Sequence, residues 1–208
     1  MSITTPPQPV TSRLPTEARQ VEIVAAALRL AQDCSPAAIT TTDLARAVGL
    51  SQGALFKHFP TKDAVWLAAM TWVAENLQRT LNEAAQQATT PLAALRCVFE
   101  AHVDFVVANP GVPRVIFHEL QQTADSPLKQ QVRGLLQGYR QLLIRLLKSA
   151  VLRGDAPDDL DESAAAILFV GIVQGLVMQS MLSGQISSMR DDAPRVFNLY
   201  LSGIRKTP

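Results

Sequence analysis

The chain has only two cysteines, Cys34 and Cys97, far apart and without metal-ligand spacing. That excludes a disulfide framework or a cysteine-built zinc site, and two buried thiols in a reducing compartment are expected. Neither sign of charge dominates: the formal net charge is +1, which excludes a chain that is basic throughout. The most apolar run, 164–182, is broken by Gln174, Gln179 and Ser180. It reads as a helix buried on most faces rather than a span of about 20 residues through a bilayer. Residues 1–15 are rich in Pro, Thr and Ser and lack an apolar segment of signal type, so no secretory signal is expected. A cytoplasmic protein without a membrane partner is the expectation. No glycine-rich phosphate loop, nucleophile–base pair or metal quartet is seen, so no enzyme, metal or cofactor is expected.

What is there is helix. Hydrophobic residues make up 48% of the chain, enough for one sizeable core or a small domain beside a larger one. From Thr16 onward the apolar residues recur at helical spacing, and no stretch alternates like a strand. Helices are predicted from Thr16 to about Cys34, at 41–48, at 52–58, from Lys62 to about Ala88, from Pro91 to Val107, over 112–121, 127–152 and 160–182, and from Pro194 to Ile204. The fold class is therefore all-α with about nine helices. Residues 1–13 are expected to be a disordered arm. Residues 14–62 form a small N-terminal domain and 63–208 a larger C-terminal one, with a helix that can run through the boundary. Residues 1–62 hold six basic side chains against four acidic ones, and the remainder one acidic side chain in excess, so the N-terminal part is the one that faces something anionic.

The stretch TTTDLARAVGLSQGALFKHFPTKD, 40–63, packs two very short helices side by side. Thr40 and Asp43 have the spacing of a capping box. Leu44, Ala45 and Val48 form an inward face, Gly49 suits a left-handed stop, and Ser51 caps the second helix. Phe59 and Pro60 end that helix, and Thr61 caps the next. A small residue at Ala45 and a glycine at Gly49 are what a helix-turn-helix needs where its helices cross. Groove geometry accounts for the shortness. The second helix must enter a major groove about 12 Å wide, and only its first turns reach base edges.

Ala45, Gly49, Ser51, Gly53, Leu55, Phe56, His58, Phe59, Pro60, Lys62 and Asp63 together resemble the DNA-binding signature of TetR-family bacterial transcriptional regulators. The resemblance covers about residues 16–70 closely and the rest only in length and helical character. The family usually has a tyrosine where Phe56 stands; Phe56 cannot donate to a phosphate, which leaves it an apolar contact with DNA or simple packing. Ser51, Gln52, Gly53, Ala54, Phe56, Lys57 and His58 are the expected DNA-facing set. Gln52 suits an adenine edge, and Lys57 a phosphate or a guanine, its place late in the helix favouring the phosphate. Thr41 and Thr42 begin the bracing helix and either meet phosphates or are merely solvated. Lys62 is expected on a phosphate, His58 packed or on a phosphate, and Arg13 and Arg19 as aids to backbone contact.

One such unit reads few base pairs, so a homodimer on two half-sites is required. The expected interface is Ile167, Leu168, Gly171, Ile172, Gly175 and Leu176 with Phe197, Tyr200 and Ile204. Phe99, His102, Phe105, Val106, Phe117, His118, Leu136, Tyr139 and Met178 are the candidates for an apolar pocket. The resemblance implies that such a pocket binds a small inducer that changes the spacing of the two recognition helices. The resulting expectation is a ligand-responsive dimeric repressor, with a double-stranded DNA operator and a small, lipophilic effector as partners. An activator or a ligand-independent regulator is the alternative within DNA binding, and a helical-bundle enzyme using His118 the alternative outside it.

Overall fold

The computed structural model describes residues 16–206, so the expected N-terminal arm, 1–13, with Arg13, lies outside the described residues. Among those residues there are nine α-helices, one 3-10 turn and no strand. They run α1 Thr16–Asp33, α2 Thr41–Ala47, α3 Gln52–Phe56, α4 Lys62–Gln86, α5 Pro91–Ala108, α6 Gly111–Leu120, α7 Pro127–Leu152, α8 Glu162–Ser183 and α9 Met189–Ile204.

Local chemistry sets most of the starts. Thr40, Ser51, Thr61, Thr90, Ser126 and Asp161 each accept from a backbone N–H of the first turn they precede. Pro91 and Pro127 occupy the first helical position, where a missing N–H costs nothing. Among the bounds that depart from expectation, two have a visible cause. α3 stops at Phe56 because the Lys57 and His58 amides bond to Ala54 and Leu55 three residues back, tightening the turn ahead of Pro60. α9 starts at Met189, so Pro194 lies inside it. Buried Met189 and the Arg190–Asp104 ion pair at 2.6 Å hold that first turn down despite the hydrogen bond Pro194 removes.

α4 is the shared beam. Its first half packs on α1, and its length packs on α5 and α7. The expected domain boundary thus falls on its first residue, and one continuous hydrophobic cluster extends from Ile23 in α1 to Ile204 in α9. A second bond between the halves is α6 on α1. Gly111, the first residue of α6, lies so close to α1 that a Cβ there would stand 2.0 Å from the Leu28 carbonyl oxygen. Only glycine permits that approach. The cysteines correct the expectation of two buried thiols: Cys34 is exposed just past the end of α1, and Cys97 is half-buried on α5.

In the body, Phe169 of α8 is fully buried, with ring centroids 5.4 Å from Phe99, 6.1 Å from Tyr139 and 5.4 Å from Tyr200. The Tyr200 hydroxyl donates to the Ala165 carbonyl at 3.1 Å, and that satisfies its polar end inside the core. Phe169→Ala is expected to destabilise the fold by about 3–5 kcal/mol in urea unfolding, through lost burial and a cavity that the surrounding helices cannot close; a loss under about 1 kcal/mol would contradict this packing.

Candidate nucleic-acid interface and effector cavity

In the head, α2 opens on the full capping box: the Thr40 hydroxyl accepts from the Asp43 amide at 3.1 Å, and the Asp43 carboxylate accepts from the Thr40 amide at 3.0 Å. Bonds from the Thr40 hydroxyl and amide hold the Asp43 carboxyl below its ordinary range, with Arg46 helping least. α2 ends in a Schellman turn: Leu50 N–H reaches the Ala45 carbonyl at 2.9 Å and Gly49 N–H the Arg46 carbonyl at 3.2 Å, with Gly49 at φ +66°. The turn delivers Ser51, whose Oγ caps α3 through the Ala54 amide at 3.2 Å.

This geometry sorts the α3 side chains. Leu55 is buried and Ala54 half-buried against the head core, while Ser51, Gln52, Gly53, Phe56 and Lys57 face outward. The Phe56 ring is exposed, so it is not core packing. Gln52 Nε2 donates to Thr41 Oγ1 at 2.7 Å, linking the first residues of α2 and α3. Thr41 is half-buried and Thr42 exposed beside them. His58 is half-buried, its carbonyl accepting from Gln20 Nε2 at 3.1 Å and its ring Nδ1 buried without a partner. Lys62 donates its ammonium to the Ala37 carbonyl at 3.0 Å, a long-range bond with no signature in the local sequence. Arg19 is paired with Glu22 at 2.6 Å.

The body holds a cavity of about 100 Å³ between α4, α5, α6, α7 and α8. Six of the expected residues line it: His102, Phe105, Val106, Phe117, Leu136 and Tyr139. Three do not, and their placement corrects the expectation. Phe99 is fully buried in the aromatic cluster beside it. His118 instead lines a separate cleft of about 610 Å³ where the head meets the body, together with Lys62, Trp66, Glu119 and Ser126. Met178 points out of α8 and is exposed. Among the walls that sequence reading misses are Val73 and Leu77 of α4, Val112, Pro113 and Ile116 of α6, Val132 and Leu135 of α7, and Val170, Val173 and Val177 of α8, which look like ordinary core. Among the described residues no three His, Cys, Asp or Glu are placed to hold a metal ion.

The cavity has one polar pair. His102 Nδ1 lies 3.1 Å from the Tyr139 hydroxyl. Burial pushes the His102 pKa down to about 4 and the Tyr139 hydroxyl well up, so both are uncharged near neutrality.

The expected dimer face also divides. Ile167, Leu168, Gly171 and Gly175 are exposed and Ile172 and Leu176 half-buried, along with exposed Met178 and Leu182 further down α8. Phe197, Tyr200 and Ile204 are instead buried in the monomer core, each under 5% exposed, because α9 turns its aromatic stripe toward α5 and α8; its outward apolar residue is Leu199, 76% exposed. By length and composition α8 reaches what a membrane span needs, as a core helix also can, and its stripe with Phe169, Val173 and Val177 is committed to the core; with the opposite stripe exposed, it is not the helix buried on most faces that the sequence suggests.

Residues 23–69 match the bacterial regulatory proteins of the tetR family, and residues 116–193 match the tetracyclin repressor-like C-terminal domain. The nucleoid occlusion factor SlmA of Vibrio cholerae serotype O1 is 27% identical over 137 residues, 66% of this chain and 70% of that protein. SlmA of Glaesserella parasuis serovar 5 is 29% identical over 145 residues, 70% and 71% of the two chains. Among solved structures, the fatty acid degradation regulator FadR of Bacillus halodurans superposes with a TM-score of 0.80 at 20% identity, over 95% of this chain and 100% of that one. FadR of Bacillus subtilis, solved with stearoyl-CoA, gives 0.77 at 19% identity, over 89% and 99%.

The depressed His102 pKa has a consequence for stability. The unfolded chain takes up its proton near pH 6.5 and the folded one only near 4, so the stability that neutral His102 allows is complete above pH 6.5 and lost as pH falls toward 4. Thermal melts of the native protein and His102→Leu between pH 7 and 4.5 are expected to show a shallower acid decline in the variant; parallel declines would refute it.

Proposed function

The chain belongs to the TetR family of bacterial regulatory proteins, and on that premise we propose that it is a dimeric transcriptional repressor. In this reading it binds an inverted-repeat operator through the major groove and leaves it when a small lipophilic effector enters the body cavity. The head is residues 14–62 and the ligand-binding and dimerisation body 63–208. The family's members are DNA-binding regulators rather than enzymes, and they act on DNA in the cytoplasm. The observation that carries the reading is the outward row Gln52, Gly53, Phe56 and Lys57 on a capped two-helix unit whose inner side is fully packed. Nothing in the fold needs the Phe56 and Lys57 side chains outside or a bare backbone at Gly53, and a groove does.

Gln52 is assigned a base edge and Lys57 a phosphate; Thr41, Thr42, Ser51 and His58 are assigned the flanking backbone. Lys62, held at the Ala37 carbonyl, reaches a phosphate only by sharing or leaving that bond. The proposed dimer contact is revised to the α8 stripe of Ile167, Leu168, Gly171 and Gly175 with Leu199 of α9, all of them exposed. Effector release follows from the packing. The cavity is too small for a molecule of drug size, so a ligand must part its walls. The α6 wall moves against α1 through Gly111, and α1 carries the head. A lipophilic effector fits the apolar walls, and the likeness to a FadR fold solved with stearoyl-CoA supports the same class.

Selection of bound fragments from random duplexes is expected to return an inverted repeat. Gln52→Ala should change which base wins at one position per half-site, whereas Lys57→Ala should weaken all sequences alike and lower the salt slope by about 1 per half-site. Recovery of no repeat would remove the reading. Leu168→Glu places a charge in the proposed interface and is expected to yield a folded monomer in light scattering, with operator affinity reduced at least about tenfold; a dimer of unchanged affinity would place the interface elsewhere.

A further inference from the structure

We infer that the body cavity selects an uncharged, mainly apolar molecule carrying one hydrogen-bond-accepting oxygen, such as a ketone or an ester, which it binds at the His102–Tyr139 pair while turning away carboxylates. This names the ligand class of the effector site proposed above and rests on that reading.

The lining supplies the first reason. Of the side chains that face the cavity, none among the described residues is Lys, Arg, Asp or Glu; they are aliphatic or aromatic apart from His102, Tyr139 and Gln174. A carboxylate entering here leaves water and finds no cation, which is costly. Nor can His102 supply the charge, since burial keeps it neutral down to about pH 4. A protonated amine is excluded by the same reasoning, because no carboxylate faces it.

The second reason is the proton count in the pair. His102 Nδ1 and the Tyr139 hydroxyl are 3.1 Å apart and share one hydrogen bond. If the hydroxyl donates to Nδ1, the imidazole proton is on Nε2 and remains free. If Nδ1–H donates, the Tyr139 O–H remains free. Either tautomer leaves one N–H or O–H donor without a partner in the pair. A donor in an apolar cavity asks for an acceptor, and a carbonyl or ether oxygen is the uncharged group that answers. Gln174 is exposed on α8 and stays hydrated at the rim. Leu120 and Leu136, which line the cavity yet are exposed, mark where its apolar wall reaches the surface between α6 and α7, so a ligand's chain can extend there while its oxygen stays inside.

The test uses the full-length protein loaded with the uncharged fluorophore N-phenyl-1-naphthylamine and challenged at pH 8 with 2-undecanone, decanoate or decylamine. The ketone is expected to displace the dye at concentrations at least about 100-fold below those of either ion. In His102→Leu/Tyr139→Phe, which removes every donor of the pair, the ketone is expected to weaken about tenfold while dye affinity holds. Equal displacement by decanoate, a ketone affinity untouched by the double substitution, or no displacement by any of the three overturns the inference. Should the double variant fail to fold, the ion-versus-ketone comparison on the native protein still decides it. Operator binding is measured separately by anisotropy: its absence beside the expected displacement pattern would sink the repressor reading and leave the ligand class standing.

Discussion

Two helices from opposite halves of this protein touch backbone to backbone where Gly111 meets the Leu28 carbonyl, with no room for a methyl group. Close-packed interiors transmit displacement because they have no slack to absorb it. Most helix contacts are made by side chains that can change rotamer. This one is not, so a shift of α6 becomes a shift of α1. α6 is also weakly secured at its own start: Pro110 precedes it and no side chain caps it. Its other face carries Val112, Ile116 and Phe117 into the body cavity. The same ten residues are therefore wall on one side and lever on the other. Coupling between sites needs such an element, and its size is bounded by the ligand's differential affinity for the two arrangements.

α4 makes the complementary contribution. Twenty-five residues long and capped by Thr61, it begins in the head and ends deep in the body. Val65, Trp66 and Ala69 belong to the first, and Val73 and Leu77 stand at the cavity. A rigid rod shared by two parts keeps them from moving independently, so the head can pivot with α4 but not detach from it. The long helix and the Gly111 contact together tie the head to the body at two places. The inverted-repeat operator proposed above, with its fixed half-site spacing, would call for such ties.

Features set by neighbouring residues are legible in the sequence. The Thr40–Asp43 box, the Gly49 stop and the Ser51 cap are each written in four or five adjacent residues, and the head can be read from them almost atom by atom. The start of α9 is illegible for the opposite reason: Pro194 is a strong local signal for a start, and it is overruled by Met189 burial and a pairing with Asp104 more than eighty residues away. α8 hides its orientation because it is apolar on every side. Periodicity cannot say which stripe of such a helix faces inward, and so the sequence places Met178 in the pocket though it shares an outward stripe with Ile167 and Gly171. The aromatic residues of α9 mislead differently. They look like anchors for a partner, but large rings bury best where several helices converge, and Phe197 and Tyr200 meet Phe169 instead.

That arrangement bears on why α8 is so apolar. One stripe feeds the aromatic cluster and the cavity wall, through Phe169, Val173 and Val177. The other exposes Ile167, Leu168, Met178 and Leu182, a run of apolar surface that a lone soluble molecule rarely leaves in water. The glycines on that stripe, Gly171 and Gly175, have open space where a Cβ would stand, so no packing within the monomer demands them. Small residues one turn apart, between large apolar ones, let a second helix approach closely. A single helix thus serves as cavity wall inside and leaves outside an apolar stripe that suits the dimer contact proposed above.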